Sequence, residues 1–417
     1  MRVHLKTLGC HLNEAELETW SRDFQAQGHQ ITQDLSDADL VVVNTRAVTG
    51  EAVRKSRKLM HKVHRENPHA KLVVSSCYTS LNPVTDTQIE GVDLVEITNH
   101  QSDLHSMPAI VTIPEENSLL SRGRQRAFIE IQDGCRYQCT FCIITVARGE
   151  ERSRPIPDVV DEVNRLPTRG IQEVVLAGVH IGGYGSDTGS DLYELVKAIL
   201  ADTDIPLLRP GAVEPWDIPG QFWSLFDNTR FIPHLHLPLQ SGADTVLRRM
   251  ARRCKTDDFE GLVTEVRQQI PDFNLTTDII VGFPGETEDE WNRPLKFVER
   301  ISFGHLHIFS YSSRPDTRAA VLPDALPREL IRTRSEQMHQ LGNRLKSQTQ
   351  ESYTGRHFPV LTEGADNSDK QRWSGYTPNF LCIELTEIGE PGLKNSIRML
   401  RMKGISESGD ALIAELE

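Results

Sequence analysis

Three apolar β-type runs, "VHLKTLG", "DLVVVNT" and "KLVVSS", lie ahead of residue 105, with helical stretches near 13–26 and 50–65 between them. Six more, "AFIEIQ", "EVVLAG", "LLRPGAVE", "HLHLPLQ", "LTTDIIVGF" and "HLHIFSYS", follow between residues 127 and 312, separated by helical stretches such as 157–166, 190–202 and 286–301. Strands that alternate with helices build parallel sheets. The first group therefore predicts a small parallel α/β sheet, and six βα units predict a partial (β/α)6 barrel rather than the full eightfold one. A polar helix over 327–350 comes next. Beyond it, "HFPVLTE", "FLCIELTE", "SIRMLRMKGIS" and "DALIAELE" read as short strands with Gly and Asn turns, a small antiparallel β-barrel.

The predicted fold class is thus α/β, and 417 residues suit two or three cores better than one. The expected units are 1–110, 121–350 and 352–417. The aperiodic "VTIPEENSLLSRGRQR", with Arg122, Arg124 and Arg126, reads as the linker between the first two. No run approaches the roughly 20 apolar residues of a membrane span, and "MRVHLKTLGC" lacks a secretory apolar middle, so the expected location is cytoplasmic, without a membrane partner.

Seven cysteines, three of them within "CRYQCTFC", fit a reducing compartment and a metal site better than a disulfide framework. Cys135, Cys139 and Cys142 have the spacing C-x3-C-x2-C directly after a strand. Three thiolates on one loop hold three irons of a cubane 4Fe–4S cluster and leave the fourth open. The competing reading is a zinc loop, which wants a fourth Cys or His at matched spacing. Cys254 and Cys382 have no ligand pattern nearby and read as structural thiols. A formal net charge of −13 argues against an extended, sequence-blind grip on phosphates but leaves room for a local basic patch. Two such patches are "RKSRKLMHKVHR", with Arg54, Lys55, Arg57, Lys58, Lys62 and Arg65, and "RRMARRCK". For each, the alternative is an ordinary solvated helix face.

The cysteine spacing resembles the radical S-adenosylmethionine (SAM) superfamily, and Phe141 matches its usual aromatic between the second and third cysteines. With "TLGCHLNEAE", "NTRAVTGEAVRKSRK", "HLHLPLQSGADTVLRRMARR" and "TTDIIVGFPGETEDEW", the whole chain resembles the methylthiotransferases. "AGVHIGGYGSD", "HLHIFSYSSRPDTRAA" and "WSGYTPNF" look most like the MtaB branch, which acts on N6-threonylcarbamoyladenosine beside the tRNA anticodon. Asp316 departs from the glycine usual in that pattern. The resemblance implies a methylthiotransferase amino-terminal domain, a radical SAM core and a TRAM-like RNA-binding tail. It implies SAM as cofactor and tRNA (the anticodon stem-loop) as substrate. It also implies a sulfur source and an electron donor such as flavodoxin or ferredoxin.

It further implies that Gly178, Glu214 and Gly282 lie around SAM, and His234, His236 and Gln240, which share one face of "HLHLPLQSG", are candidate donors to it from the barrel interior. Ordinary turn glycines and satisfied core histidines are the competing readings for Gly178, Gly282, His236 and its strand neighbour His234. Trp373 and Tyr376 would stack on a base or anchor the small barrel. In the family, three loops of the amino-terminal domain each give one cysteine to a second iron–sulfur cluster. This sequence matches at Cys10 and Cys77 and departs at Arg46, and arginine cannot replace a thiolate. The expectations at that point are a second cluster of altered type on Cys10 and Cys77, aided by a neighbour such as His11 or Asn13, a lost cluster, a change peculiar to this chain, or a repurposed domain. The expected activity is methylthio transfer to C2 of N6-threonylcarbamoyladenosine at tRNA position 37. The alternatives are a divergent radical SAM enzyme on RNA or a ribosomal protein, and a non-catalytic RNA-binding protein.

Overall fold

In the computed structural model the described residues are 1–45, 49–76, 81, 94–95, 125–365, 373–385 and 393–416. Arg46, Cys77, Arg122 and Arg124 lie outside them. The first sheet contains β1 (Arg2–Thr7), β2 (Gln30–Ile31), β3 (Leu40–Thr45), β4 (Lys71–Ser76) and β5 (Leu94–Val95), in the order β2-β1-β3-β4-β5 with every pairing parallel. β3 reads LVVVNT and is buried throughout, as a central parallel strand covered on both faces must be. Its covers are α1 (His11–Ala26) and α2 (Gly50–Glu66). α2 buries Leu59, Met60 and Val63 and turns its basic residues outward.

Six parallel strands follow, each on one of the six predicted runs: β6 (Arg126–Asp133), β8 (Glu173–Gly178), β9 (Leu207–Pro210), β10 (His234–His236), β11 (Asn274–Val281) and β12 (His305–Ser310). Single bridges at Leu208–Phe231 and Ala212–His236 join β9 to β10, and a short antiparallel β7 (Arg152–Ser153) extends the β6 edge. Arg126, expected in the linker, instead opens β6. The long helix α3 (Arg328–Tyr353) then packs along β12 and leads into a closed barrel. That barrel is β13 (His357–Ala365), β14 (Trp373–Tyr376), β15 (Cys382–Leu385), β17 (Leu412–Leu416) and β16 (Ser396–Ile405), antiparallel except for the parallel β15–β17 seam.

The six-stranded sheet does not close on itself. Apart from its short pairing with β7, β6 is one open edge, and α1 covers it, with Glu18 accepting the Phe128 backbone N–H at 3.1 Å and His11 stacking on the Phe128 ring at 4.8 Å. On the far side, past β12, the Gly50 N–H that opens α2 donates to Ser312 Oγ at 3.1 Å. The amino-terminal unit therefore bridges the open side of the half-barrel. The small barrel plugs its lower end. There Phe380 lies under the Arg209 guanidinium at 4.1 Å and beside His234 at 4.9 Å, Tyr376 stacks on Phe380, and Arg126 sits over Tyr376. Tyr376 thus takes part in docking, and Trp373 packs against the barrel's own core, the anchoring alternative of the two readings.

Candidate functional site

The loop after β6 carries Cys135, Cys139 and Cys142, all half-buried and none in a disulfide. Gly134 makes the turn possible: its φ is +74°, and a Cβ there would lie 1.8 Å from the Glu150 carbonyl oxygen. The loop is pinned on several sides, by Cys135 N–H to Gly149 O, Thr140 N–H to Met250 O, and Ala319 N–H to Thr140 O. Two N–H groups point at sulfur, from Tyr137 to Cys135 Sγ at 3.4 Å and from Arg252 to Cys139 Sγ at 3.7 Å. Burial pushes the Cys135 thiol up to about 12. A bound cation would reverse that preference by holding the thiolate directly. Phe141 turns the other way, into the apolar patch of Ala243, Met250 and Phe283.

Beside this loop lies a network that joins the expected Glu214 to His180, Glu151 and Asp217, which no sequence pattern announces. The His180 ring is fully buried; Nδ1 meets Glu151, Nε2 meets Asp217 at 2.7 Å, and Glu214 Oε2 stands 3.5 Å from Nε2. Burial opposes the charge, but the bond to Asp217 with the Glu214 and Glu151 carboxylates outweighs it and raises the imidazole's pKa. Cys135, Glu151 and His180 offer ligand atoms within 4.8 Å of one another, yet both ring nitrogens are already spent on carboxylates. The group reads as an ion-pair network. Glu214 Oε2 makes no hydrogen bond among the described residues, and burial raises the pKa of this carboxyl.

Gly178 packs against Gln132, whose Oε1 accepts the backbone N–H groups of Val179 and His180. Gly282 adopts φ +80°, and Ile331 of α3 fills the space its side chain would take. Gln240 is a non-glycine residue at φ +79°, held there by its N–H to Asp278 O and its carbonyl from Ile280 N–H. Such an imposed backbone is typical of functional turns.

Strand period and register place Arg126, Phe128, Glu130, Glu173, Arg209, His234, His236, Thr276, Asp278, His305 and His307 on the inner face. A closed eight-stranded barrel fills that space with branched apolar side chains. This interior is polar. His236 Nε2 donates to Asp278, its ring lies 5.2 Å from that of His307, and His307 is 4.9 Å from His305.

Cys10 caps the start of α1 and is exposed, its Sγ and N–H both meeting Asn13 Oδ1. Asn13 is buried and donates to Asn44, Asn44 donates to Glu16 at 2.8 Å, and Glu16 accepts from Arg148 at 2.9 Å. Arg148 also reaches Asp133 at 3.0 Å, at the root of the cysteine loop. Asn13 is therefore spent on the scaffold. His11 keeps both ring nitrogens clear of protein hydrogen bonds among the described residues, and burial, with Arg126 and His236 beside it, lowers its imidazole to about 4. β1, β3 and β4 end side by side, with Thr7 against Asn44 and Thr45 against Ser76, so the loops that follow leave one edge.

Residues 2–95 match the Uncharacterized protein family UPF0004 and residues 129–298 the Radical SAM superfamily. The chain is 31% identical to Threonylcarbamoyladenosine tRNA methylthiotransferase MtaB of Thermotoga maritima, over 98% of this chain and 95% of that one. The chain belongs to the radical SAM methylthiotransferase family. Within that family it is also 31% identical to the Bacillus subtilis MtaB, over 91% of this chain and 89% of that one. It is 30% identical to a tRNA-2-methylthio-N(6)-dimethylallyladenosine synthase of Staphylococcus epidermidis, over 89% and 77%. A solved radical SAM methyltransferase, TsrM from Kitasatospora setae, shares the fold at TM-score 0.55 and 16% identity, over 77% of each chain. As a member of this methylthiotransferase family the protein is a radical SAM transferase that modifies tRNA.

Proposed function

We propose that this enzyme transfers a methylthio group to C2 of N6-threonylcarbamoyladenosine at position 37 of tRNA. The observation that supports this most is the end-to-end identity to the MtaB relatives, combined with a complete three-thiol loop at the carboxyl end of β6. In this reading, residues 1–110 hold the auxiliary site, 121–350 the radical SAM core and 352–417 the TRAM-like barrel. Cys135, Cys139 and Cys142 hold the 4Fe–4S cluster, and their fit rests on three half-buried thiols with two N–H groups directed at sulfur. A cluster held there would supply the electron for reductive cleavage of bound SAM.

The chain's own residues then do the rest. Glu214, whose Oε2 faces His180 Nε2 at 3.5 Å without a hydrogen bond among the described residues, suits the SAM ammonium, and Gln240 fixes the turn after β10. Gly178, His236 and Gly282 frame the same strand ends. Cys10 with Cys77 holds a second iron–sulfur site, with Arg46 as a hydrogen-bond donor to its sulfur. The outward face of α2, Arg54, Lys58 and Lys62 among others, takes RNA phosphates in an otherwise acidic chain. A groove of about 610 Å³ between β12 and α3, with Arg328, Arg332 and His339 on its walls, continues that face past Ser312. A flavodoxin or ferredoxin and a sulfur source complete the cycle.

Anaerobically reconstituted protein given SAM, reductant and tRNA carrying the N6-modified base is expected to yield methylthiolated nucleoside, S-adenosylhomocysteine and 5′-deoxyadenosine. The last without the other two would contradict the reading. It would favour the divergent alternative that Arg46 suggests.

A further inference from the structure

One layer of the polar interior has no place in cofactor binding or in the cysteine loops. It climbs from Arg209 and His234, which meet the Phe380 plug, to His305 and His307, which pair with Thr276 and Asp278 of β11. His305 and His307 line it, their rings open to solvent on one side and crowded by protein on the others. Phe309, 40% exposed, continues the same strand face.

The hydrogen bonds below this row can be followed atom by atom. Asp278 takes the Nε2–H of His236, so Nδ1 of that ring accepts from the Thr276 hydroxyl at 2.9 Å. The Thr276 oxygen in turn accepts Nε2–H of His234 at 3.2 Å, which leaves His234 Nδ1 with a bare lone pair. That atom is buried and has no hydrogen-bond partner among the described residues, and the same holds for Nη1 of Arg209, which also faces inward beside the Phe380 ring. Both residues are only 4% exposed. A buried orphan acceptor and a buried orphan cationic donor in one layer are costly unless a ligand completes them.

We propose that Arg209, His234, His305 and His307 form the specificity site for a polar, carboxylate-bearing substituent on the target base. The inference rests on the tRNA-modification reading and names the group that reading leaves unexplained. A threonylcarbamoyl substituent brings a hydroxyl to donate to His234 Nδ1 and a carboxylate to accept from Arg209, while the histidine row solvates the ureido link. A dimethylallyl substituent offers neither and would leave both orphans unpaired. Rejection of an analogue that lacks the matching polar groups is the stronger form of discrimination.

The test uses reconstituted protein and three anticodon stem-loop RNAs that differ only at the target adenosine: N6-threonylcarbamoyl, N6-dimethylallyl or unmodified. Fluorescence anisotropy is expected to show the first binding at least about tenfold tighter than the second, the scale of one charge-assisted hydrogen bond. The pair His305→Leu/His307→Leu should erase that preference while the protein keeps its parent iron content. His307→Phe, which keeps the ring but removes its nitrogens, should narrow it, and serves if the leucine pair fails to fold. Equal binding, a preference for the dimethylallyl RNA, or a preference that survives these changes would overturn the proposal while leaving tRNA modification standing. Failure of all three RNAs to outcompete a plain duplex would overturn both.

Discussion

Arg148 is 2% exposed and stands between Glu16 of the first unit and Asp133 of the cysteine loop. Removing it leaves Glu16 buried without its cation, while Asp133 keeps Arg152 at 2.9 Å, so Arg148→Met is expected to cost about 3 kcal/mol in urea unfolding. An unchanged midpoint would show that the bridge is not structural. Nearby Glu130 is raised to about 8, chiefly by burial and then by the Glu16 and Asp133 carboxylates. Between 4.5, the ordinary value, and about 8 the folded protein holds a proton that the unfolded chain has released, so stability should fall as pH rises through that window. Glu130→Gln should flatten the fall. At this scale the thiols of Cys135, Cys139 and Cys142 were legible, because their spacing is local. His180 was not, since its partners Glu151 and Asp217 lie 29 and 37 residues away and no pattern within "VHIGG" announces them.

The elements were easier to read than the contacts between them. "EVVLAG" coincides with β8 because an apolar run between a helix and a glycine has few other fates. The plug formed by Phe380 and Tyr376 was not legible. An aromatic in a turn looks the same whether it meets RNA or the half-barrel's Arg209, and only tertiary structure decides. Phe380→Ala should therefore cost about 3 kcal/mol and raise hydrogen exchange in β14 and β15 before the rest of the protein. Uniform exchange across both bodies would contradict a separate docking step. Charge reversal of Arg54, Lys58 and Lys62 on α2 should weaken RNA binding and lower its salt slope by roughly one per lost phosphate contact. SAM binding should not move.

At the scale of the whole molecule, α1 seals the β6 edge, the start of α2 touches Ser312 beyond β12, and the small barrel closes the lower end. Together they turn an incomplete barrel into one chamber. The chain of bonds from Cys10 through Asn13, Asn44, Glu16 and Arg148 to Asp133 fixes the amino-terminal loop relative to the cysteine loop. That arrangement has a purpose if both loops hold iron, and Arg46 makes the second the point of greatest consequence. The most direct measurement is iron, labile sulfide and Mössbauer spectra of reconstituted protein in which Cys135, Cys139 and Cys142 are all alanine. The expected result is residual cluster iron that disappears when Cys10 and Cys77 are also replaced. An iron-free triple variant would contradict it and leave a radical SAM enzyme without a second cluster.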